Sequence, residues 1–364
     1  MGDNLKELFS GKSILVTGGT GSIGREIVRQ LLQYDPEKIG IFGRNEYSLY
    51  LMTQRFREDQ DKLKFFIGDV RDKERLEFAV KDMDFVFHAA ALKHVPMCEF
   101  NPFEAVKTNV VGTQNLIEAC LGDIGVGKVI LISTDKAVEA INVMGATKLL
   151  AEHLFSAANS LRREGDPVFS SVRFGNVLGS KGSVIPTFIN QLVNENVITI
   201  TEPQMTRFFM STRQAVSLVF KACGMVRGGE VFILKMPVMR VVDIAEILIE
   251  EYNRLNGGVN VSIEHIGIRP GEKICEELVA SAEVRFLRDM EDMFILDRNE
   301  AHDGKVPPQY ISSTQEPISK DELHEILLNE GIIDLLKYLH AVRSIKTARH
   351  SITFENLLES YNHF

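Results

Sequence analysis

The sequence predicts an α/β fold, a doubly wound parallel sheet with helices on both faces and a smaller C-terminal domain. Three observations lead there. Short β-rich apolar runs alternate with helix-length amphipathic segments through the first half of the chain. The first run ends in a glycine cluster that opens directly into a helical pattern. After Arg173 the alternation gives way to a stretch richer in Gly, Pro and Asn, as expected of a segment that leaves a sheet to cover a ligand.

The runs Ser13–Thr17, Lys38–Phe42, Leu63–Ile67, Asp84–His88 and Lys128–Ser133 read as buried strands. Between the first two, Ile23, Ile27, Val28, Leu31 and Leu32 share one face of a helix over Ser22–Gln33. Asn101 and Pro102 resemble an N-cap and first-turn proline of a helix running towards Cys120. Further on, Ser211–Val226 reads as helix, Glu230–Leu234 as a strand returning to the sheet, and Val241–Leu255 as an amphipathic helix. From about Ser281 the pattern fades, and Ile332–Phe364 reads as one or two helices with a basic middle at Arg343, Lys346 and Arg349. The expected domains are 1–176 with 211–236, then 177–210 with 237–330, and a helical tail over 331–364.

The 364 residues are 45% hydrophobic and 25% charged, enough for one large or two moderate domains. A net charge of −9 argues against a nucleic-acid partner, which favours a basic face. Cys98, Cys120, Cys223 and Cys275 have no metal-like spacing, so no metal site is expected, and the thiols read as reduced in a cytoplasmic protein. No apolar run approaches the roughly 18–20 residues that span a bilayer. The first residues, MGDNLKELFSGK, lack the apolar core of a signal peptide.

The glycine cluster carries the first chemical signal. Gly18, Gly21 and Gly24, with Thr20, Ser22 and Ile23 between them, follow a strand and open a helix. Glycines in that context allow a tight turn and close backbone approach to a pyrophosphate, while the helix N-terminus offers N–H groups and a favourable dipole. A Rossmann-type dinucleotide site is the reading. At the end of the second strand, where an acid would bind a ribose 2′-hydroxyl, the chain has Arg44. A guanidinium suits a 2′-phosphate, favouring NADP over NAD, although Glu46 two residues on also fits a solvated ion pair. Asp69 and Val70, closing the third strand, are placed for the adenine edge. Asp69 equally suits a cap for a helix over Arg71–Lys81.

The second signal is Thr134-Asp135-Lys136 at the carboxyl end of the fifth strand, where open α/β sheets bind ligands. An acid beside an amine is proton-transfer equipment, whereas the bland alternative is a capped turn with a solvated lysine. Lys148 lies one helical turn after Met144, on the same face, where it can bond a nicotinamide ribose. Met144 has no exchangeable proton.

Taken in order from about Leu15 to Leu278, TGGTGSIG, HAAALKHVP, NPFEAVKTNVVGT, STDKA, NVMGATK, RFGNVLGS, MTRFFMS and IRPGEK resemble the extended short-chain dehydrogenase/reductases. More narrowly, they resemble the bacterial UDP-N-acetylglucosamine 4,6-dehydratases of polysaccharide and glycan biosynthesis, in their short soluble form. The resemblance implies a tightly bound, recycled NADP (alternatively NAD), a UDP-sugar substrate, and a homo-oligomer, dimer or hexamer. It implies C4 oxidation, loss of water across C5–C6 and hydride return to C6. Lys136 would be the C5 base and Asp135 the acid for the C6 hydroxyl. Thr134 would position or relay. Met144 stands where the superfamily's tyrosine would take the O4 proton, as in a subset of these dehydratases, and Asp135 is the first candidate to replace it. Ala89, Ala90, Lys93 and Asn109 would join the cofactor site. Lys93, His94, Asn176, Val177, Arg207, Arg269 and Glu272 would hold the sugar nucleotide. A 4-epimerase or ketoreductase on the same scaffold, or a non-catalytic NADP- and UDP-sugar-binding protein, are the competing readings.

Overall fold

The computed structural model describes residues 2–123, 125–258, 261–301 and 310–346. The chain divides into two compact units. The first comprises Met1–Gly175, Thr212–Met236 and Glu277–Ile311; the second comprises Asn176–Ser211, Pro237–Glu276 and the described residues of Ser312–Phe364.

The first unit is built on a nine-stranded sheet. Its strands are β1 (Ser13–Thr17), β2 (Lys38–Gly43), β3 (Leu63–Ile67), β4 (Phe85–His88), β5 (Lys128–Ile132), β6 (Val168–Arg173), β7 (Val231–Leu234), β8 (Leu287–Asp289) and β9 (Met293–Leu296). They lie in the order β8-β9-β7-β6-β5-β4-β1-β2-β3. From β3 to β7 every pairing is parallel, and β9 joins β7 antiparallel, as β8 does β9. Strands buried on both faces read as continuous apolar runs, which is why they stand out in the sequence. The connections run one way from β1 and the other way from β4. Those two neighbours therefore mark the switch point, outside whose carboxyl ends open sheets of this kind bind their ligands. Rossmann topology is thus confirmed.

Two features of this unit depart from expectation. The segment Glu277–Ile311, assigned on sequence to the second domain, supplies β8 and β9 and belongs to the first unit. These antiparallel strands are only three and four residues long, too short to show a period. The helix expected from Asn101 to Cys120 contains a π-helical stretch, Val106–Val111, between Pro102–Ala105 and Gly112–Leu121. Apolar spacing carries no mark of such a stretch.

The second unit has a three-stranded sheet of Val238–Arg240, Thr206–Met210 and Asn176–Val177, and a parallel pair, Val197–Ile200 with Ser262–His265. Its core gathers Ile185, Phe188 and Ile189 with Ile244, Leu248, Leu327 and Leu336. The last three come from helices Val241–Asn256, Lys320–Asn329 and Ile332–Lys346. Ile332–Lys346 is therefore part of this core rather than a separate tail. The expected basic middle, Arg343, Lys346 and Arg349, lies outside the described side chains. Among the described residues no helix is long and apolar enough to cross a membrane.

Candidate active site

Three loops leave the carboxyl ends of β1, β4 and β5 at or beside the switch point. The β1 loop turns at Gly18, whose φ of +65° favours glycine, and a Cβ there would lie 2.7 Å from the Ala90 backbone. At Gly24, a Cβ would come within 2.3 Å of the Gly18 carbonyl oxygen. Helix Ser22–Leu31 starts at Gly21 with no side-chain cap and no acid in its first turn. The result is a positively polarised helix end without a side-chain cap, beside a loop that admits no Cβ at Gly18 or Gly24, which fits a dinucleotide pyrophosphate. Arg44 is exposed just beyond β2. Val70 is buried. Asp69 accepts from the Arg71 side chain at 2.7 and 3.0 Å and from its backbone N–H, and these bonds hold its carboxyl below the usual range. The helix Lys73–Val80 is capped instead by Asp72, which accepts from the Arg75 N–H at 3.0 Å.

The β4 loop carries Ala89, Ala90, Lys93 and His94, the last two exposed. Asn109, in the π-helical stretch, holds this loop with both ends of its amide. Oδ1 accepts from the Leu92 N–H at 2.8 Å, and Nδ2 donates to the Leu92 carbonyl and to Thr147 Oγ1, each at 3.0 Å. Beneath lies a polar relay absent from the sequence reading. Thr113 Oγ1 donates to the Asn109 carbonyl at 2.6 Å and so accepts from His88 Nε2 at 3.2 Å. That tautomer leaves Nδ1 to accept from Thr17 Oγ1 at 2.7 Å. Burial, with the Lys148 charge adding to it, pushes the His88 pKa down to about 3, so the ring is neutral.

Beyond β5, Thr134 accepts from the Lys136 N–H and starts a short 3₁₀ turn, Asp135–Ala137. Asp135 is fully buried. Its Oδ1 accepts from Thr134 Oγ1 at 2.8 Å and from Lys136 Nζ at 3.0 Å, while Oδ2 is buried without a partner among the described residues. The Asp135 N–H donates to the Phe174 carbonyl at 3.0 Å, which fixes the turn against the end of β6.

Helix Val143–Ala158 is capped by Asn142 and packs its first turn against that 3₁₀ turn. A Cβ on Gly145 would lie 2.1 Å from the Lys136 carbonyl oxygen, so only glycine allows the approach. Met144 is buried in a small apolar cluster with Cys98 and Ala105. Lys148, 6% exposed, donates from Nζ to the Ile132 carbonyl at 2.6 Å. Burial pushes its pKa down to about 8, against the opposing pull of Glu152. The structure thus brings together the glycine loop, Asn109, Asp135, Lys136 and Lys148 around the carboxyl ends of β1, β4 and β5.

The remaining expected residues belong to the second unit. Asn176 and Val177 form a strand paired with Phe209 and Met210. Arg269 is exposed, and its N–H donates to Glu272 Oε2 at 3.1 Å across the turn at Gly271. Arg207 is buried, and its Nη atoms donate to the carbonyls of Thr206, Lys273 and Ile274 at 2.6–2.9 Å. Much of its guanidinium therefore holds the 273–274 backbone. Among the described residues there is no cluster of His, Cys, Asp or Glu that could hold a metal ion.

Comparison with known proteins follows the same lines. A family model described as polysaccharide biosynthesis protein matches residues 14–298. "Uncharacterized membrane protein MJ1061" of Methanocaldococcus jannaschii is 52% identical over 81% of this chain and 89% of its own length. UDP-N-acetylglucosamine 4,6-dehydratase (inverting) of Campylobacter jejuni is 43% identical, over 79% of this chain and 84% of its own. A UDP-glucose 4-epimerase of Rickettsia felis is 40% identical over 88% and 97%. The X-ray structure of Pen from Bacillus thuringiensis superposes with a TM-score of 0.85 at 44% identity, covering 88% of this chain and 98% of that one. With the glycine loop at the switch point and these matches over most of its length, the chain belongs to the polysaccharide biosynthesis protein family.

Proposed function

We propose that the protein is an NADP-dependent UDP-N-acetylglucosamine 4,6-dehydratase of surface polysaccharide or glycan synthesis. The observation that carries the reading is Asp135, buried beside Lys136 at the carboxyl end of β5 with Oδ2 unpartnered among the described residues. A buried carboxylate oxygen without a donor is costly, and a substrate hydroxyl is the natural partner. The dehydratase of Campylobacter jejuni supports the reading by its name.

A nicotinamide dinucleotide, when bound, supplies a reversible acceptor for the hydride of sugar C4, later returned to C6. Gly18, Gly21 and Gly24 would admit its pyrophosphate, with Thr20, Ser22, Ile23, Ala89 and Ala90 lining the approach. Asp69 and Val70 would flank its adenine, Arg44 its 2′-phosphate, and Asn109, Lys93 and Lys148 its nicotinamide half. Asp135 Oδ2 takes the O4 proton as C4 is oxidised, in place of the tyrosine that Met144 displaces. The 4-ketone acidifies the C5 proton, which the Lys136 amine removes. Protonating Asp135 removes the anion beside Lys136 and favours its neutral form, so the oxidation arms both groups. Asp135 then gives its proton to the C6 hydroxyl and water departs, and Lys136 returns a proton to C5 as C6 is reduced, which resets the amine. Thr134, already bonded to Oδ1, holds the carboxyl in place. Lys93, His94, Asn176, Val177, Arg269 and Glu272 would bind the sugar nucleotide, with Arg207 shaping the 273–274 backbone.

Incubation with UDP-GlcNAc in deuterated water, read by NMR, tests this directly. A 4-keto-6-deoxy sugar carrying deuterium at C5 supports dehydration, and the same spectrum reads the C5 configuration. The Rickettsia felis relative favours a second reading, 4-epimerisation. A simple C4 epimer would establish that one and exclude the first. Cofactor and UDP-sugar binding with no product would leave a non-catalytic binding protein.

A further inference from the structure

Behind the candidate site lies a charged cluster that the proposed chemistry does not use. Glu152 and Arg173 are both fully buried and doubly bonded, from Nη2 to Oε2 at 2.7 Å and from Nε to Oε1 at 3.1 Å. Ser133 Oγ donates to the same Oε1 at 2.6 Å. On its other side Arg173 donates to Glu283 at 2.8 and 3.0 Å and to the Leu278 carbonyl at 2.9 Å. Arg298 donates to Glu283 as well, at 3.0 Å. Burial alone would lower the Arg173 pKa, but Glu152 and Glu283 outweigh it and hold the guanidinium charged.

A buried ion pair is weak ground for stability, because packed apolar side chains of the same volume often do as well. The location of this one is more telling. Glu152 follows Lys148 by one helical turn. Ser133 directly precedes Thr134, and Arg173 directly precedes Phe174, whose carbonyl holds the Asp135 N–H. Every contact of the Glu152 carboxylate thus leads within one residue, or one turn, to a group of the reaction centre.

We propose that Glu152, clamped by Ser133 and Arg173, is a positioning residue that serves as the buried counter-charge of Lys148 and fixes the ends of β5 and β6 that carry Asp135. The inference rests on the reading of Lys148 as part of the cofactor and sugar site. The groups around Lys148 have distinct places. His88 is neutral on β4, the Asp135–Lys136 pair lies past β5, and Arg173 on β6 is bound to Glu152 and Glu283. Glu99 and Lys107, on the elements packed along the outer side of the helix, are exposed, and the half-buried Glu104 between them accepts from Arg71 and Lys107. Glu152 is the buried anion on the helix of Lys148 itself. Burial and Glu152 pull the lysine in opposite directions, as the value near 8 reflects.

The test reads Lys148 in the full chain without any ligand. Lysine labelled with ¹³C is titrated by NMR, with Lys148→Met assigning the resonance. Glu152→Gln is expected to lower the Lys148 midpoint by about one pH unit, the size expected when one charge a helical turn away is removed. Glu152→Asp should restore most of the difference. An unmoved midpoint in folded Glu152→Gln overturns the proposal. If that variant lacks the native near-ultraviolet dichroism, the double change Glu152→Gln with Arg173→Met is compared with Arg173→Met alone, and equal Lys148 midpoints in those two overturn the proposal. Isothermal titration keeps the underlying reading separate. Wild-type NADP affinity in Lys148→Met would overturn the placement of Lys148 in the cofactor site, whatever the titration shows.

Discussion

Asp135 combines two properties that rarely coexist without a ligand: full burial and an oxygen with no donor among the described residues. Replacing it with Asn keeps the volume and removes the buried charge. The expected result is a split. Dehydration of UDP-GlcNAc should fall by about 100-fold or more, the usual worth of a positioned acid or base. The melting temperature should stay level or rise, because the unpaired oxygen no longer carries charge. Thermal melts and a product assay on the same preparation check both halves. A folded Asp135→Asn that still reduces bound NADP⁺ at the wild-type rate on adding substrate would remove Asp135 from the oxidation step. Arg44 allows a cleaner separation, since it is exposed beyond β2 and does not touch the reaction centre. Arg44→Ala should weaken NADP about tenfold, some 1.4 kcal/mol, and leave NAD unchanged, as titration calorimetry would show. Equal losses for both cofactors would discard the 2′-phosphate contact.

At the scale of elements, the site depends on how closely helix Val143–Ala158 meets the turn after β5. Gly145 sets that distance, with the Lys136 carbonyl where its Cβ would be. Gly145→Ala must push helix and turn apart, at a cost of about 1–3 kcal/mol. Turnover should drop further than stability alone explains, since Asp135, Lys136 and Lys148 lose their register. Urea unfolding beside kcat checks this, with Leu150→Ala on the exposed face of the same helix as control. The sequence showed this contact only as two motifs, STDKA and NVMGATK, without the glycine's reason. The inner parallel strands were legible because burial on both faces leaves uninterrupted apolar runs, as in β1, and the half-exposed edge strand β3 still begins and ends at the expected residues. The π-helical stretch at Val106–Val111 was not legible, because adding one residue to a turn leaves apolar spacing nearly intact. Nor were β8 and β9, whose few residues gain their strand character only from pairing with β7. Glu152 left a signal as well, an acid one turn beyond Lys148 that follows the apolar run Leu149, Leu150 and Ala151.

For the whole molecule, the consequence of such burial is a pH dependence of folding that starts above the carboxylate range. His88 is 1% exposed, ties β1 and β4 to the helix Gly112–Leu121, and stacks at 6.4 Å on Phe155. Its pKa falls from 6.5 in the unfolded chain to about 3 in the folded one. Between those values the unfolded state holds the extra proton, so stability rises with pH and is lost as pH falls below 6.5. The slope approaches 1.4 kcal/mol per pH unit, which amounts to about 2 kcal/mol between pH 7 and pH 5. Glu26, Asp69 and Glu283, whose pKa values are lowered, act in the same sense but only once pH falls through the carboxylate range. His94 is shifted in the same direction but sits on an exposed loop, so comparison with a variant isolates His88. His88→Gln should be less stable at pH 7, because it leaves the Thr17 and Thr113 hydroxyls without their shared partner. Its stability should then be nearly flat from pH 7 to pH 5, while the wild-type chain loses its 2 kcal/mol. Urea midpoints at half-unit steps across that window decide the matter, and parallel slopes in the two chains would show that His88 is not the group that titrates.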